Sequence, residues 1–315
     1  MKKTLPIIFA LLIVLLATIY LIIPSQIQVT KVAAIKAPLS ASSRFFKDPK
    51  KWQQWWPSSD SSSIQITNGV DFSFKNAKHT PTEALFNGYR INTSFNGMNL
   101  KGEIIYAQIG LDSVAYFWKY QYSSSYNPIT RIKDYYTLKA LLQNTGEILA
   151  SMKIFLENEE KVYGMKINHS LVVDTLLIST KNIFPAIPNN EEVYQMIDAL
   201  KKYAEQGGAL QKGFPMLNVT RLDSQHYQTM VALPVDKQLA ESARFSWKRM
   251  VAGKILIGEV KGGEARAREA FIQMQNYVTD HQITSPAIPF ISFITDRKLE
   301  RDSSIWISRI YYPIM

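Results

Sequence analysis

One relation constrains this chain more than any other: a stretch of its second half is written twice. Val193, Met196, Ile197, Leu200, Tyr203 and Ala204 recur at helical spacing, and Ala267, Ala270, Phe271, Met274, Tyr277 and Val278 repeat that stripe 74 residues later. The same offset carries Gly213-Phe-Pro215-Met to Ala287-Ile-Pro289-Phe, each opening a strand. Farther on, His226-Tyr-Gln-Thr-Met-Val-Ala-Leu-Pro234-Val matches Ile305-Trp-Ile-Ser-Arg-Ile-Tyr-Tyr-Pro313-Ile, with five extra residues in the second connecting turn. Ahead of the helices, Thr175-Leu-Leu-Ile-Ser-Thr-Lys matches Ile255-Leu-Ile-Gly-Glu-Val-Lys. Each copy reads strand, helix, strand, strand.

The N-terminus obeys a different rule. Leu5 to Ile23 is uncharged and almost wholly apolar, preceded by Lys2 and Lys3 and followed by Pro24-Ser25-Gln26. Nineteen residues at about 1.5 Å each reach roughly 28 Å, close to the hydrocarbon thickness of a bilayer. Leu21-Ile22-Ile23-Pro24 offers no small-x-small cleavage site, so an uncleaved anchor within residues 1–25 is expected, with membrane contact through residues 5–23. The two lysines favour a cytoplasmic N-terminus, against which Lys31 and Lys36 weigh, and this puts the remainder across the membrane. The expected location is a single pass of a bacterial inner membrane with periplasmic domains.

Between anchor and repeat, Ile27 to Ile35 alternates as a strand and stops at Ala37-Pro38; a short helical stretch, Ser40 to Phe46, follows. Trp52, Trp55 and Trp56 come next, then a serine-rich loop, Ser58 to Ser63. From Ile64 to Tyr126, strand formers are punctuated by Asn68-Gly69, Asn87-Gly88, Asn96-Gly97 and Gly110-Leu-Asp112, the signals of an antiparallel meander. Leu138, Leu141, Leu142, Thr145, Ile148, Leu149, Met152 and Leu156 then predict one long amphipathic helix. The polar Asn158-Glu-Glu-Lys161 marks a boundary, giving domains 26–157 and 162–315.

The order strand, Ala-Pro, short helices with tryptophans, twisted strands and long closing helix resembles the START-like family, also called SRPBCC or polyketide-cyclase-like. Val29 to Pro38, Trp52 to Pro57, Val114-Ala-Tyr-Phe-Trp118 and Met152-Lys-Ile-Phe-Leu-Glu157 carry that likeness. It implies a sheet wrapped around the long helix with an apolar tunnel between them, although core and lid packing explains the tryptophans at least as well as ligand contact. The duplicated part, with its closing Trp-x-Ser-x-Ile-x-x-Pro-Ile, resembles the GyrI-like effector-binding family. That likeness implies two repeats about a pseudo-two-fold axis and a groove for amphipathic small molecules. The resulting fold class is α+β: a transmembrane helix, a START-like helix-grip domain, then a GyrI-like tandem β-α-β-β repeat.

Where that family's closing strand carries a ligand-binding glutamate, this chain has Arg309, and where members often have a tyrosine it has Phe293. Both departures count against the hydrolase activity of some relatives. Period-two alternation puts Ile307, Arg309 and Tyr311 on one strand face and Trp306, Ser308 and Ile310 on the other. If the groove is retained, the first set lines it; a solvated arginine paired with a carboxylate is the equal alternative for Arg309. The candidate ligand-binding residues are Arg309, Ile307, Tyr311 and Phe293, and no catalytic residue is assigned.

Composition removes other chemistries. With no cysteine, thiolate metal sites, iron–sulfur clusters and cysteine nucleophiles are excluded, and His79, His169, His226 and His281 are too scattered for a metal site. No phosphate-binding loop, dinucleotide fingerprint or nucleophile elbow occurs. Neither metal nor cofactor is expected. The net charge of +10 sits mainly in the first half, where residues 26–157 carry 15 basic against 9 acidic side chains. The region before Val162 lacks the short helices of a helix-turn-helix, so no nucleic acid is expected. The expected function is a membrane-anchored, non-catalytic binder or sensor of a small apolar or amphipathic ligand. The alternatives are an enzyme of the polyketide cyclase type acting on a lipid or aromatic metabolite, and an envelope scaffold.

Overall fold

The computed structural model describes residues 4–57, 65–66, 70–172, 175–250 and 252–315. Its chain divides into two compact units, Met1–Asn158 and Glu159–Met315, each mixed in helix and strand and each built on one antiparallel sheet.

The first unit opens with helix α1 (Thr4–Ile22). Every described large apolar side chain from Ile7 to Leu15 is at least half exposed. Among the described residues no helix is long and apolar enough to cross a membrane. The end of α1 is capped by charge: Arg131 Nε donates to the Ile23 carbonyl at 2.8 Å while its guanidinium lies 4.7 Å from the Tyr20 ring centre. A cation is stabilised there because the last carbonyls of a helix have no partners of their own.

Strand β1 (Gln26–Ile35), helix α2 (Leu39–Phe46) and a 3-10 turn (Pro49–Gln54) follow. Then come β2 (Gln65–Ile66), β3 (Val70–Phe74), β4 (Ala77–Leu85), β5 (Gly88–Phe95), β6 (Met98–Gly110), β7 (Ser113–Ser123) and α3 (Pro128–Leu156). The sheet runs β1-β7-β6-β5-β4-β3-β2. Three of the four turn signals close hairpins, and at Asn96 (φ 47°) and Gly97 (φ 82°) the backbone takes the positive angles that the right-twisted hairpin demands. The fourth, Asn68-Gly69, and the serine-rich loop lie outside the described residues. The long helix starts ten residues earlier than its apolar stripe suggests, because Asn127 caps it, its side chain accepting from the backbone N–H groups of Ile129 and Thr130, with Pro128 next.

The second unit consists of α4 (Glu159–Tyr163), β8 (Ile167–Val172), β9 (Thr175–Phe184), α5 (Asn190–Gln206), β10 (Met216–Arg221) and β11 (Tyr227–Val235). It continues with β12 (Ser246–Met250), β13 (Gly253–Lys261), α6 (Glu264–Asp280), β14 (Phe290–Phe293) and β15 (Ile307–Ile314). The duplicated segments are β9-α5-β10-β11 and β13-α6-β14-β15. Their eight-stranded sheet, β12-β9-β11-β10-β14-β15-β13-β8, reads the same from either edge and joins its halves through β10 and β14. The strands ahead of each copy are exchanged: β8 precedes β9 but pairs with β13, and β12 precedes β13 but pairs with β9. Each copy therefore completes the sheet of the other. Helix α5 buries Val193, Met196, Ile197 and Leu200 against Ile178, Val231 and Leu233 of the sheet.

Candidate ligand-binding site

The interior of the first unit is occupied by rings. Trp52 stacks on Phe46 at 5.2 Å between centroids and on Trp56 at 6.2 Å, and Trp56 meets Phe72 at 4.9 Å. Each of the three tryptophan indoles donates to a backbone carbonyl, Trp52 to Phe46, Trp55 to Phe45 and Trp56 to Ser73, which fixes them as packing elements. One polar cluster is embedded here. His79 is fully buried with Nδ1 2.9 Å from Thr93 Oγ1, and the Tyr120 hydroxyl lies 3.0 Å from the same threonine oxygen. Burial pushes the His79 pKa down to about 3, opposed by Asn144. His79 Nε2, Trp118 Nε1 and Asn144 Oδ1 make no hydrogen bond. Trp56 and Trp118 close over the imidazole at 5.6 and 5.0 Å, so rings cover it where a substrate would have to reach it.

Two cavities open in the second unit, on the two faces of its sheet. The one on the helix face, of about 250 Å³, is built from equivalent positions of the two copies. Its floor is Leu217 and Val219 of β10 with Ile291 and Phe293 of β14; Val193 of α5 and Ala267 of α6 flank it. These are the pairs 193/267, 217/291 and 219/293 of the 74-residue offset. Alternation in β10 and β14, placed side by side at Leu217 and Ile291, forces the four floor residues onto one face. The charged residues of its lining are Arg221, Glu264, Arg268 and Arg297.

Arg297 breaks the symmetry. Its side chain is 9% exposed, held between the Phe293 ring at 3.6 Å and the Trp306 ring at 4.8 Å. Nη1 donates to Asn190 Oδ1 and Nη2 to Ser308 Oγ, both at 2.9 Å, while its backbone N–H donates to the Tyr194 hydroxyl. Nε is buried without a partner, and no carboxylate among the described residues pairs with the guanidinium. Burial lowers its pKa to about 10, against the pull of Tyr194 and Glu264, and at neutral pH the group remains charged. The neighbouring Arg268 is already paired with Glu264 at 3.7 Å.

The four residues singled out by sequence do not converge. Ile307, Arg309 and Tyr311 share one face of β15, but Phe293 pairs with Ser308 and faces the other way, into the helix-side cavity. Arg309 Nε lies 2.6 Å from Glu259 Oε2 on β13, the carboxylate pairing weighed as its alternative role, and the bond to Glu259 raises its pKa. Tyr311 stacks on Phe290 at 4.8 Å. Phe290 in turn lines the second cavity, of about 500 Å³, with Met216, Asn218, Met230 and Lys248. Arg297 escaped sequence reasoning, yet the five residues added to the second connecting turn signalled where the copies differ, and that turn carries it.

No family model and no curated protein sequence matches the chain. Among solved structures, the EcmrR C-terminal domain is similar at 15% identity and a TM-score of 0.42, covering 48% of this chain and 98% of that one. SAV2435 bound to tetraphenylphosphonium follows at 16% identity and 0.32, covering 48% and 94%. The Zhui aromatase/cyclase from Streptomyces sp. R1128 aligns at 9% identity and 0.31, covering 40% and 92%. These are resemblances of backbone course.

Proposed function

We propose that Glu159–Met315 is a GyrI-like ligand-binding unit that takes up a small amphipathic molecule in the cavity between α5 and α6. The observation that carries this reading is the cavity's construction: an apolar floor supplied in equal parts by the two copies, with a few polar and charged groups in the lining. Concave, mostly apolar sites with a few placed polar groups are what small-molecule recognition uses. Met1–Asn158 is proposed as a START-like unit whose packed aromatic interior favours a supporting role over the cyclase-type reaction. The proposal also keeps the chain on a membrane through residues 5–23 and involves no nucleic acid. Its support is the uncharged run Leu5–Ile23 behind Lys2 and Lys3, together with the exposure of the apolar side chains of α1.

Ile272 lines the cavity from α6 and is 54% exposed, so a larger side chain there fills the mouth without disturbing the core. Calorimetric titration of the full chain in lipid discs with naphthylmethanol should show binding that Ile272→Trp weakens at least tenfold. Equal affinity in both proteins would refute the cavity assignment.

A further inference from the structure

We infer that this cavity selects anionic ligands, small apolar carboxylates, through Arg297; the inference rests on the cavity reading above and specifies its ligand class. A buried guanidinium without a carboxylate is costly, and such groups in folded proteins are paired or hydrogen-bonded. Arg297 has its two Nη groups anchored to Asn190 and Ser308, its plane clamped by Phe293 and Trp306, and its Nε–H without a partner. The anchors fix the fork in position before any ligand arrives, so little side-chain entropy remains to be lost on binding. The charges of the lining agree: three arginines stand against one glutamate, and that glutamate lies 3.7 Å from Arg268. An apolar body seated on Leu217, Val219 and Ile291 therefore places a terminal anion beside Arg297, the buried cation of the lining, which no carboxylate among the described residues ion-pairs. A cationic head group in the same place would meet Arg297 in a poorly solvated site, where like charges repel strongly.

Arg297 could also serve only to brace the segment between β14 and β15 against α5, and the test separates the two roles. Naphthoate, naphthylmethanol and naphthylmethylammonium share one apolar body and differ in charge. Their affinities would be measured by titration calorimetry on the full chain in lipid discs, with empty discs as the blank, for the unaltered protein, Arg297→Gln, Arg297→Lys and Arg309→Glu. On the unaltered protein naphthoate should bind on the order of tenfold tighter than the alcohol, and the ammonium weakest. The preference should collapse in Arg297→Gln, survive in reduced form in Arg297→Lys, and remain in Arg309→Glu, whose side chain lies on the opposite sheet face. Equal binding of all three probes to the unaltered protein overturns the inference while the cavity stands. Naphthoate preference that persists in folded Arg297→Gln, or that only Arg309→Glu removes, overturns the assignment to Arg297. Binding of none of the probes takes down the cavity reading itself. Should Arg297→Gln fail to fold, the ranking on the unaltered chain decides, together with Arg297→Lys.

Discussion

Arg309 and Glu259 face each other directly across the antiparallel pair β15 and β13, with Nε 2.6 Å from Oε2. Both side chains are more than a third exposed, so solvent screens the attraction and the pair contributes at most about 1 kcal/mol. Its consequence for recognition is larger than its energy, because the arginine standing where the GyrI-like family has a carboxylate is already neutralised by its neighbour. Arg309→Glu should place two carboxylates opposite each other and lower stability by roughly 1 kcal/mol, read as a lower urea midpoint. It should leave the ranking of charged ligands unchanged. A reversal of that ranking would show that the Arg309 face holds the ligand.

The halves of the repeat were legible because each apolar stripe is a local pattern, three or four residues apart, that survives in one dimension. What escaped depends on partners distant in sequence. Alternation within β15 correctly separates Ile307, Arg309 and Tyr311 from Ser308 and Ile310, but only the register with β14 decides that Phe293 joins the second group. The exchange of β8 and β12 between the copies is of the same kind, since nothing in five or six residues of strand names their partner. The early start of α3 is written in Asn127-Pro128 and not in the apolar spacing, for the first turns of that helix are polar and partly exposed.

Asn189 should set the stability of the cavity's wall. Its Oδ1 accepts from the Glu192 N–H at 3.0 Å while Glu192 Oε2 accepts from the Asn189 N–H at 2.8 Å, closing the first turn of α5. The next residue, Asn190, anchors Arg297. Asn189→Ala should cost about 1 kcal/mol and speed hydrogen exchange of the first α5 amides roughly fivefold. It should also weaken naphthoate more than naphthylmethanol, because the anchor of the guanidinium loosens. Unchanged exchange would show that the box adds nothing to the helix.

The proposed topology rests on the bias of Lys2 and Lys3 at the head of the apolar run. A reporter that folds to activity only outside the cytoplasm, fused after Met315, should be active. Activity of a cytoplasm-only reporter at the same junction would overturn the proposed orientation.

His79 predicts how the first unit responds to acid. It is the one histidine between Met1 and Asn158, fully buried among Trp56, Trp118 and Tyr120, and burial lowers its pKa from 6.5 to about 3. Above pH 6.5 the imidazole is neutral in both folded and unfolded chains, so it has no effect on stability there. As pH falls below 6.5 the unfolded chain binds a proton that the folded one refuses, and stability declines by up to about 1.4 kcal/mol per pH unit until the folded pKa near 3 is reached. Asp71 and Glu157, whose pKa values are also lowered, lose their contributions only below the ordinary carboxylate range. The interval from about pH 6.5 to 4.5 therefore belongs to the histidine. His79→Gln should flatten the dependence of the urea midpoint on pH in that interval relative to the unaltered protein, and the difference between the two slopes cancels every group they share. Parallel slopes would mean that His79 is reached by solvent and protonates in the folded state, and the closed aromatic interior argued for this unit would then be open.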